Sequence, residues 1–120
     1  MKKIYYLKTC DTCKRIINSL PYTDGFTLQD IKENPITAKQ LEEMHALSGS
    51  YEALFSKRAK LYKEHSMKDL NLNENDYRHY ILDHYTFLNR PVIISGNKIF
   101  IGNSAKNVEA AIKHLQDEKA

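Results

Sequence analysis

Two thiols three residues apart, in Cys10-Asp11-Thr12-Cys13, are the side chains best suited to covalent chemistry. They follow an apolar run, Ile4-Tyr5-Tyr6-Leu7, and open a stretch with apolar residues at helical spacing, Ile16, Ile17 and Leu20. The pair therefore falls where a strand hands over to a helix. The first N–H groups of a helix lack intrahelical acceptors and sit at the positive end of the macrodipole, so a thiolate there is favoured over a thiol. A cysteine so placed can ionise well below the free value of about 8.5, as a nucleophile working near neutral pH requires. Lys8, Lys14 and Arg15 push the same way. With a second sulfur within the first turn, Cys10 can act as the attacking thiolate and Cys13 as the resolving thiol. Asp11 is a candidate cap for the helix, and its charge would partly offset the stabilisation of the thiolate.

The same spacing also suits two buried apolar cysteines, or half of a zinc site. Zinc needs about four ligands, and His45, His65, His79, His84 and His114 form no second CxxC and no tight HxxxH pair, which disfavours that use. A chain of 120 residues, 42% of them hydrophobic, fits one globular domain with a single core. A net charge of +3, with basic residues scattered among acidic ones, does not indicate a duplex-binding surface. The short apolar run near the N-terminus is far below the roughly 18 residues of a membrane span and lacks a cleavage pattern. The expectation is a cytoplasmic protein with no membrane partner and no direct nucleic-acid partner. In a reducing compartment a CxxC is more often catalytic or sensing than a permanent staple.

The elements that must position the thiols follow from periodicity and punctuation. Residues 3–7 read as a short buried strand, 12–20 as a helix stopped by Pro21, and 26–31 as a second strand. Thr37 with Gln40 forms a capping box for a helix bearing Leu41, Met44, His45 and Leu47 and ending at Gly49. A further helix after Asn73 carries Tyr77, Tyr80, Ile81, Tyr85 and Leu88 at helical spacing and is expected to run on until Pro91 ends it. That aromatic stripe reads as core in preference to a base-stacking platform. Residues 92–94 and 98–101 flank Gly96-Asn97, a strong hairpin signal, and Ser104 can cap a last helix with Val108, Ala111, Ile112 and Leu115 inward. The order β-α-β, helical middle, β-β-α, with CxxC on the first strand-to-helix loop, is a thioredoxin-like (glutaredoxin-like) arrangement. It predicts an α/β fold with a four-stranded mixed sheet and a helical insertion at about residues 37–88 between the two halves. In that arrangement Pro91 stands where a cis proline faces the active cysteine.

Five segments resemble, in order and spacing, the arsenate reductase (ArsC)/Spx/YffB family of thioredoxin-like proteins. They are Lys8-Thr9-Cys10-Asp11-Thr12-Cys13-Lys14, the run from Asp30-Ile31 through Pro35 to Leu41, and Tyr51-Glu52-Ala53-Leu54-Phe55-Ser56-Lys57-Arg58. The remaining two are Leu88-Asn89-Arg90-Pro91-Val92-Ile93 and Ile99-Phe100-Ile101-Gly102. Arsenate reductases of the glutaredoxin-coupled branch carry His-Asn-Pro-x-Cys-Gly-Thr-Ser-Arg at the nucleophile, which this chain replaces with Leu7-Lys8-Thr9 before Cys10 and Asp11-Thr12-Cys13-Lys14 after it. The Cys-Asp-Thr sequence and the run into Lys57-Arg58 are closer to the YffB branch, inferred to be a glutathione-dependent reductase, which commonly has a single cysteine here. The second cysteine, and Lys57-Arg58-Ala59-Lys60, resemble Spx, a regulator that binds RNA polymerase and uses CxxC as a switch.

The resemblance implies a thiol-disulfide oxidoreductase with no bound cofactor and with glutathione, glutaredoxin or the thioredoxin system as reductant. Its alternatives are a true arsenate reductase acting on an oxyanion, and an Spx-like regulator whose partner would be the RNA polymerase alpha C-terminal domain. The expected site comprises Cys10, Cys13 and Arg90, with Lys8, Thr12, Arg58, Arg90 and Pro91 on the substrate. Either arginine could equally serve as a surface ion pair, and the resemblance favours cationic donors for an anionic ligand.

Overall fold

The computed structural model describes residues 1–119. Its elements are β1 (Lys2–Tyr6), α1 (Asp11–Ser19), β2 (Thr27–Asp30), α2 (Ala38–Ser48), α3 (Tyr51–Leu54) and α4 (Lys60–Glu64). After these come α5 (Glu74–Asp83), β3 (Val92–Ser95), β4 (Lys98–Ile101) and α6 (Ala105–Lys119), with 3-10 turns at Met67–Asp69 and Tyr85–Phe87. The chain divides into two compact units, Met1–Asn34 joined with the chain from Arg90 onward, and Pro35–Asn89.

The first unit holds the whole sheet, in the order β2-β1-β3-β4. β1 and β2 are parallel, with Lys3 opposite Thr27 and Tyr6 opposite Asp30. Parallel neighbours need a crossover, and α1 supplies it. β3 runs antiparallel to β1, Ile4 opposite Ile93, and to β4, Ile93 opposite Phe100. The Gly96-Asn97 hairpin forms as the sequence predicts, with Gly96 at φ +62°, a conformation that L side chains rarely adopt. Alternation places Ile4, Ile93 and Phe100 on one face, where they pack with Leu20, just past α1, and with Ala111 and Leu115 of α6. Residues at 0–1% exposure such as Ile4 and Ile93 each contribute about 1.5–3 kcal/mol through burial. α1 stops because Pro21 disfavours helical dihedrals at the residue before it, and Leu20 is accordingly extended at φ −69°, ψ 144°. The Ser104 hydroxyl receives the Asn107 N–H at 3.2 Å and caps α6.

The far end of this unit is tied by a polar cluster absent from the sequence expectations. The Glu118 carboxylate receives the Lys2 ammonium at 2.9 Å, the Tyr22 hydroxyl at 3.0 Å and the buried Ser95 hydroxyl at 3.0 Å, and lies 2.8 Å from His114 Nε2. It joins the last turns of α6 to the start of β1 and the end of β3.

In the second unit, Thr37 and Gln40 form the expected capping box, both bonds at 3.1 Å, and Gly49 closes α2 in the left-handed region. Asn73 and Asp76 make a second box at the start of α5, both bonds at 2.9 Å. Of the predicted stripe, Tyr77, Ile81 and Leu88 are buried and Tyr80 and Tyr85 half-buried; Tyr77, together with Phe87 from outside the stripe, lies against Phe55, at ring-centroid distances of 4.9 and 5.3 Å. α5 is shorter than its spacing predicts and does not run on to Pro91. It ends at Asp83, because extended His84 offers its Nδ1 to the Thr86 N–H at 3.2 Å and starts a new turn. Leu88 then pairs with Phe55 in an antiparallel bridge, with Ser56 N–H donating to Phe87 C=O at 2.7 Å and Asn89 N–H to Leu54 C=O at 2.8 Å. A long-range backbone pairing thus overrides the local helical pattern. α3 and α4, four and five residues long, are too short to show periodicity.

Candidate active site

The site is built from the β1–α1 connection. Leu7 C=O accepts the Cys10 N–H at 2.9 Å, so Leu7, Lys8, Thr9 and Cys10 form a tight turn. Cys10 is the N-cap residue of α1, extended at φ −96°, ψ 111°, and its carbonyl takes the first helical bond, from Lys14 N–H at 3.2 Å. The cap position therefore belongs to Cys10, and Asp11, the expected cap, is an exposed residue of the first turn. Capping selects the residue whose dihedrals leave the helix, and here the turn at Leu7 fixes Cys10 in that role.

One helical turn gives the two free thiols opposite environments. Cys10 is partly exposed and Cys13 is buried, at 1% exposure. Burial of Cys10 opposes its ionisation. The N–H and thiol of Cys13, the N–H of Thr12 and the charge of Arg90 outweigh that cost and hold the Cys10 pKa below the ordinary thiol value. The Cys10 side chain makes no N-cap hydrogen bond by strict geometry, and the Thr12 and Cys13 N–H groups, directed toward the sulfur at the positive end of the helix, favour its thiolate. Cys13 is pushed up to about 11, chiefly by burial and further by the hydrogen bond and charge of Cys10, against a partial pull from the Leu7 N–H and Arg90.

Arg90 reaches this site from the opposite strand connection. It is half-buried, precedes the cis peptide at Pro91, and acts on both thiols. Pro91 is buried, and its carbonyl receives the Gly102 N–H at 2.9 Å, tying the entry of β3 to the residue after β4. Cys10, Thr12, Cys13 and Arg90 of the expected set thus act on one another. Lys8 has an exposed side chain, and its backbone N–H donates to Asp30 Oδ1 at 3.2 Å. Arg58 belongs to the second unit, exposed in the link between α3 and α4. Two groups beside the thiol loop were missed by sequence reasoning: the Leu7 N–H, a backbone group with no side-chain signature, and Asp30, which accepts the Lys8 N–H. An Asp closing a strand is unfavourable for the strand itself, and that mismatch was the available signal. Among the described residues no group of three or more His, Cys, Asp or Glu side chains could hold a metal ion, and no helix is long and apolar enough to cross a membrane.

Solved structures share this architecture. A protein named YFFB superposes with a TM-score of 0.74 at 20% identity, covering 93% of this chain and 99% of that one. The arsenate reductase from Vibrio cholerae gives a TM-score of 0.69 at 19% identity, over 93% and 95%. The fold is thus the thioredoxin-like fold of ArsC proteins. Among curated proteins, the arsenate reductase of Neisseria meningitidis is 26% identical over 114 residues, 92% of this chain and 97% of that one. The ArsC family model matches residues 5–111, a span that runs from β1 and its two thiols through Arg90 and the hairpin into α6, and on that match the chain belongs to the ArsC family.

Proposed function

We propose that this chain is a thiol-disulfide oxidoreductase of the reducing cytoplasm, with Cys10 as nucleophile, Cys13 as resolving thiol, and glutathione or glutaredoxin as electron source. The observation that supports this most is the opposed ionisation of two thiols within one helical turn, Cys10 held down and Cys13 held up. The Cys10 thiolate attacks one sulfur of a substrate disulfide; that S–S bond breaks, one half leaves as a thiolate that takes a proton from water, and a mixed disulfide remains on Cys10. Cys13 then gives up its proton and attacks the Cys10 sulfur. The second half leaves, and a Cys10–Cys13 disulfide remains, two electrons having passed to the substrate. Two glutathione thiols or a dithiol glutaredoxin reverse this state. The Arg90 guanidinium suits a carboxylate of glutathione or an oxyanion, either of which it can meet with paired N–H donors.

A second substrate is favoured by the name of the Neisseria relative, arsenate reductase. The Cys10 thiolate would bond to arsenic with loss of water, and Cys13 attack on that sulfur would leave the S–As electron pair on arsenic, giving arsenite and the same disulfide. One coupled assay separates these readings: NADPH oxidation with glutathione, glutathione reductase and glutaredoxin, or with thioredoxin and its reductase, offered a glutathione mixed disulfide and then arsenate. Turnover of the mixed disulfide above the rate of the coupling enzymes alone, with that excess lost in Cys10→Ser, is the expected result. Turnover of arsenate alone selects the oxyanion reading. Absence of both, with oxidation-dependent capture of the RNA polymerase alpha C-terminal domain, replaces the enzyme by a redox-switched regulator.

A further inference from the structure

Every strand ladder ends with backbone groups that need another partner, and at the end of β1 they belong to the loop that carries the nucleophile. The ladder of β1 with β2 closes where the Ile31 N–H donates to Tyr6 C=O at 3.0 Å. Beyond it, the Leu7 N–H is directed at the Cys13 sulfur, and the Cys10 N–H turns back to Leu7 C=O. The Lys8 N–H between them is held by the Asp30 carboxylate, at 3.2 Å to Oδ1, and the same oxygen faces the Lys32 N–H at 3.4 Å. Asp30 is itself fixed twice by its backbone, through its pairing with Tyr6 and through its carbonyl, which accepts the Asn34 N–H at 2.9 Å. Its half-buried side chain therefore reaches from a rigid strand end into the thiol loop.

We propose that Asp30 is a positioning residue for Cys10: by accepting the Lys8 N–H it locks the Leu7–Cys10 turn and so aims the start of α1 at the Cys10 sulfur. A carboxylate suits the task because it only accepts, and its bond to an amide is charge-assisted. Its negative charge works against a thiolate nearby, so the benefit to Cys10 comes through geometry. That separates the two roles of the carboxylate experimentally. Asp30→Asn keeps an acceptor oxygen and removes the charge, whereas Asp30→Ala removes both.

The inference rests on Cys10 being the reactive thiolate, and the experiment tests the two separately. The pH dependence of Cys10 alkylation by iodoacetamide is followed by peptide mass spectrometry in the full chain and both variants, together with amide hydrogen exchange at Lys8. The wild-type midpoint lies below the free-thiol value, Asp30→Ala moves it upward, and Asp30→Asn leaves it at or below wild type. Exchange at Lys8 is slowed in the wild type and becomes about tenfold faster in Asp30→Ala. A wild-type midpoint near 8.5 refutes the redox reading of Cys10 itself. A depressed wild-type midpoint that Asp30→Ala leaves unchanged, or that Asp30→Asn raises as far as Asp30→Ala does, overturns the role of Asp30. Should Asp30→Ala fail to fold, free-chain exchange at Lys8 in the wild type overturns it, and slowed exchange with a retained Asp30→Asn midpoint upholds it.

Discussion

Alkylation of the two thiols should differ in rate by at least about tenfold, and the figure follows from their environments. Cys13 is pushed up to about 11, while Cys10 is held below the ordinary thiol value of about 8.5, so the two are taken as separated by about two pH units. Near about pH 7.5 the thiolate fraction of Cys10 then exceeds that of Cys13 by a factor of about 100 or more. A less basic thiolate is a weaker nucleophile, and a Brønsted slope of about 0.4–0.5 returns roughly six- to tenfold of that advantage. A net preference of about tenfold remains, before the burial of Cys13 restricts access further. The perturbation that tests its origin is Cys13→Ala, which keeps the helix and its amides but removes the thiol that supports the Cys10 sulfur. Losing a hydrogen bond with a net value of about 0.5–1.5 kcal/mol should raise the Cys10 midpoint by about half to one pH unit, with Cys13→Ser retaining part of the effect. Initial rates of iodoacetamide modification, measured peptide by peptide between about pH 6 and 10, supply both numbers. Comparable rates for the two cysteines, or faster modification of Cys13, would refute the assignment of Cys10 as nucleophile.

Ile93→Ala should destabilise the chain by about 2–5 kcal/mol, because the side chain is 1% exposed against α1 and α6; a urea midpoint indistinguishable from wild type would remove that face from the core. Glu118, held down to about 2 first by Lys2, has a folded pKa below its unfolded value. It therefore adds stability that is complete above about 4.5 and is lost as pH falls toward 2, a slope in Tm that Glu118→Gln should flatten. Capping Cys10 as an S-methyl thioether, which Cys13 cannot cleave, should lower the Cys13 pKa from about 11, read from the pH dependence of Cys13 alkylation by peptide mass spectrometry, since Cys10 contributes both a hydrogen bond and a charge to that elevation; an unchanged titration would leave burial as the whole cause.

Local signals were legible wherever the responsible groups lie close in sequence. The Thr37–Gln40 box, the Gly96-Asn97 hairpin and the strand-to-helix position of the thiols each depend on residues within a few positions of one another, and each formed as read. The end of α5 was misread because the pattern of Tyr85 and Leu88 continues the helical period, while the pairing of Leu88 with Phe55 depends on a segment 33 residues earlier. Arg90 was placed by fold resemblance, and nothing in its own neighbourhood marks it for the thiols. The clasp of Lys2, Tyr22, Ser95, His114 and Glu118 was invisible for the same reason, its members being separated by up to 116 residues. Asp30 lies between these cases: its type conflicts with its strand, yet the Lys8 amide that explains the conflict appears only when β2 is laid beside β1.

Under the proposed thiol exchange, one turn of helix carrying Cys10 and Cys13 would order two steps in time. While Cys10 is a thiolate, the N–H groups of Thr12 and Cys13 and the charge of Arg90 serve it, and its charge keeps the proton on Cys13. Once Cys10 enters a mixed disulfide that charge is gone. The Leu7 N–H and Arg90, which already favour a Cys13 thiolate, then act without that opposition, and the second thiol becomes easier to ionise when its attack is required. Burial still disfavours the Cys13 thiolate, so in the proposed route an incoming thiol competes with Cys13 for the mixed disulfide. In the proposed route the balance between a one-cysteine and a two-cysteine outcome therefore depends on how far Cys13 falls from about 11 when Cys10 is capped, which burial, the Leu7 N–H and Arg90 set together.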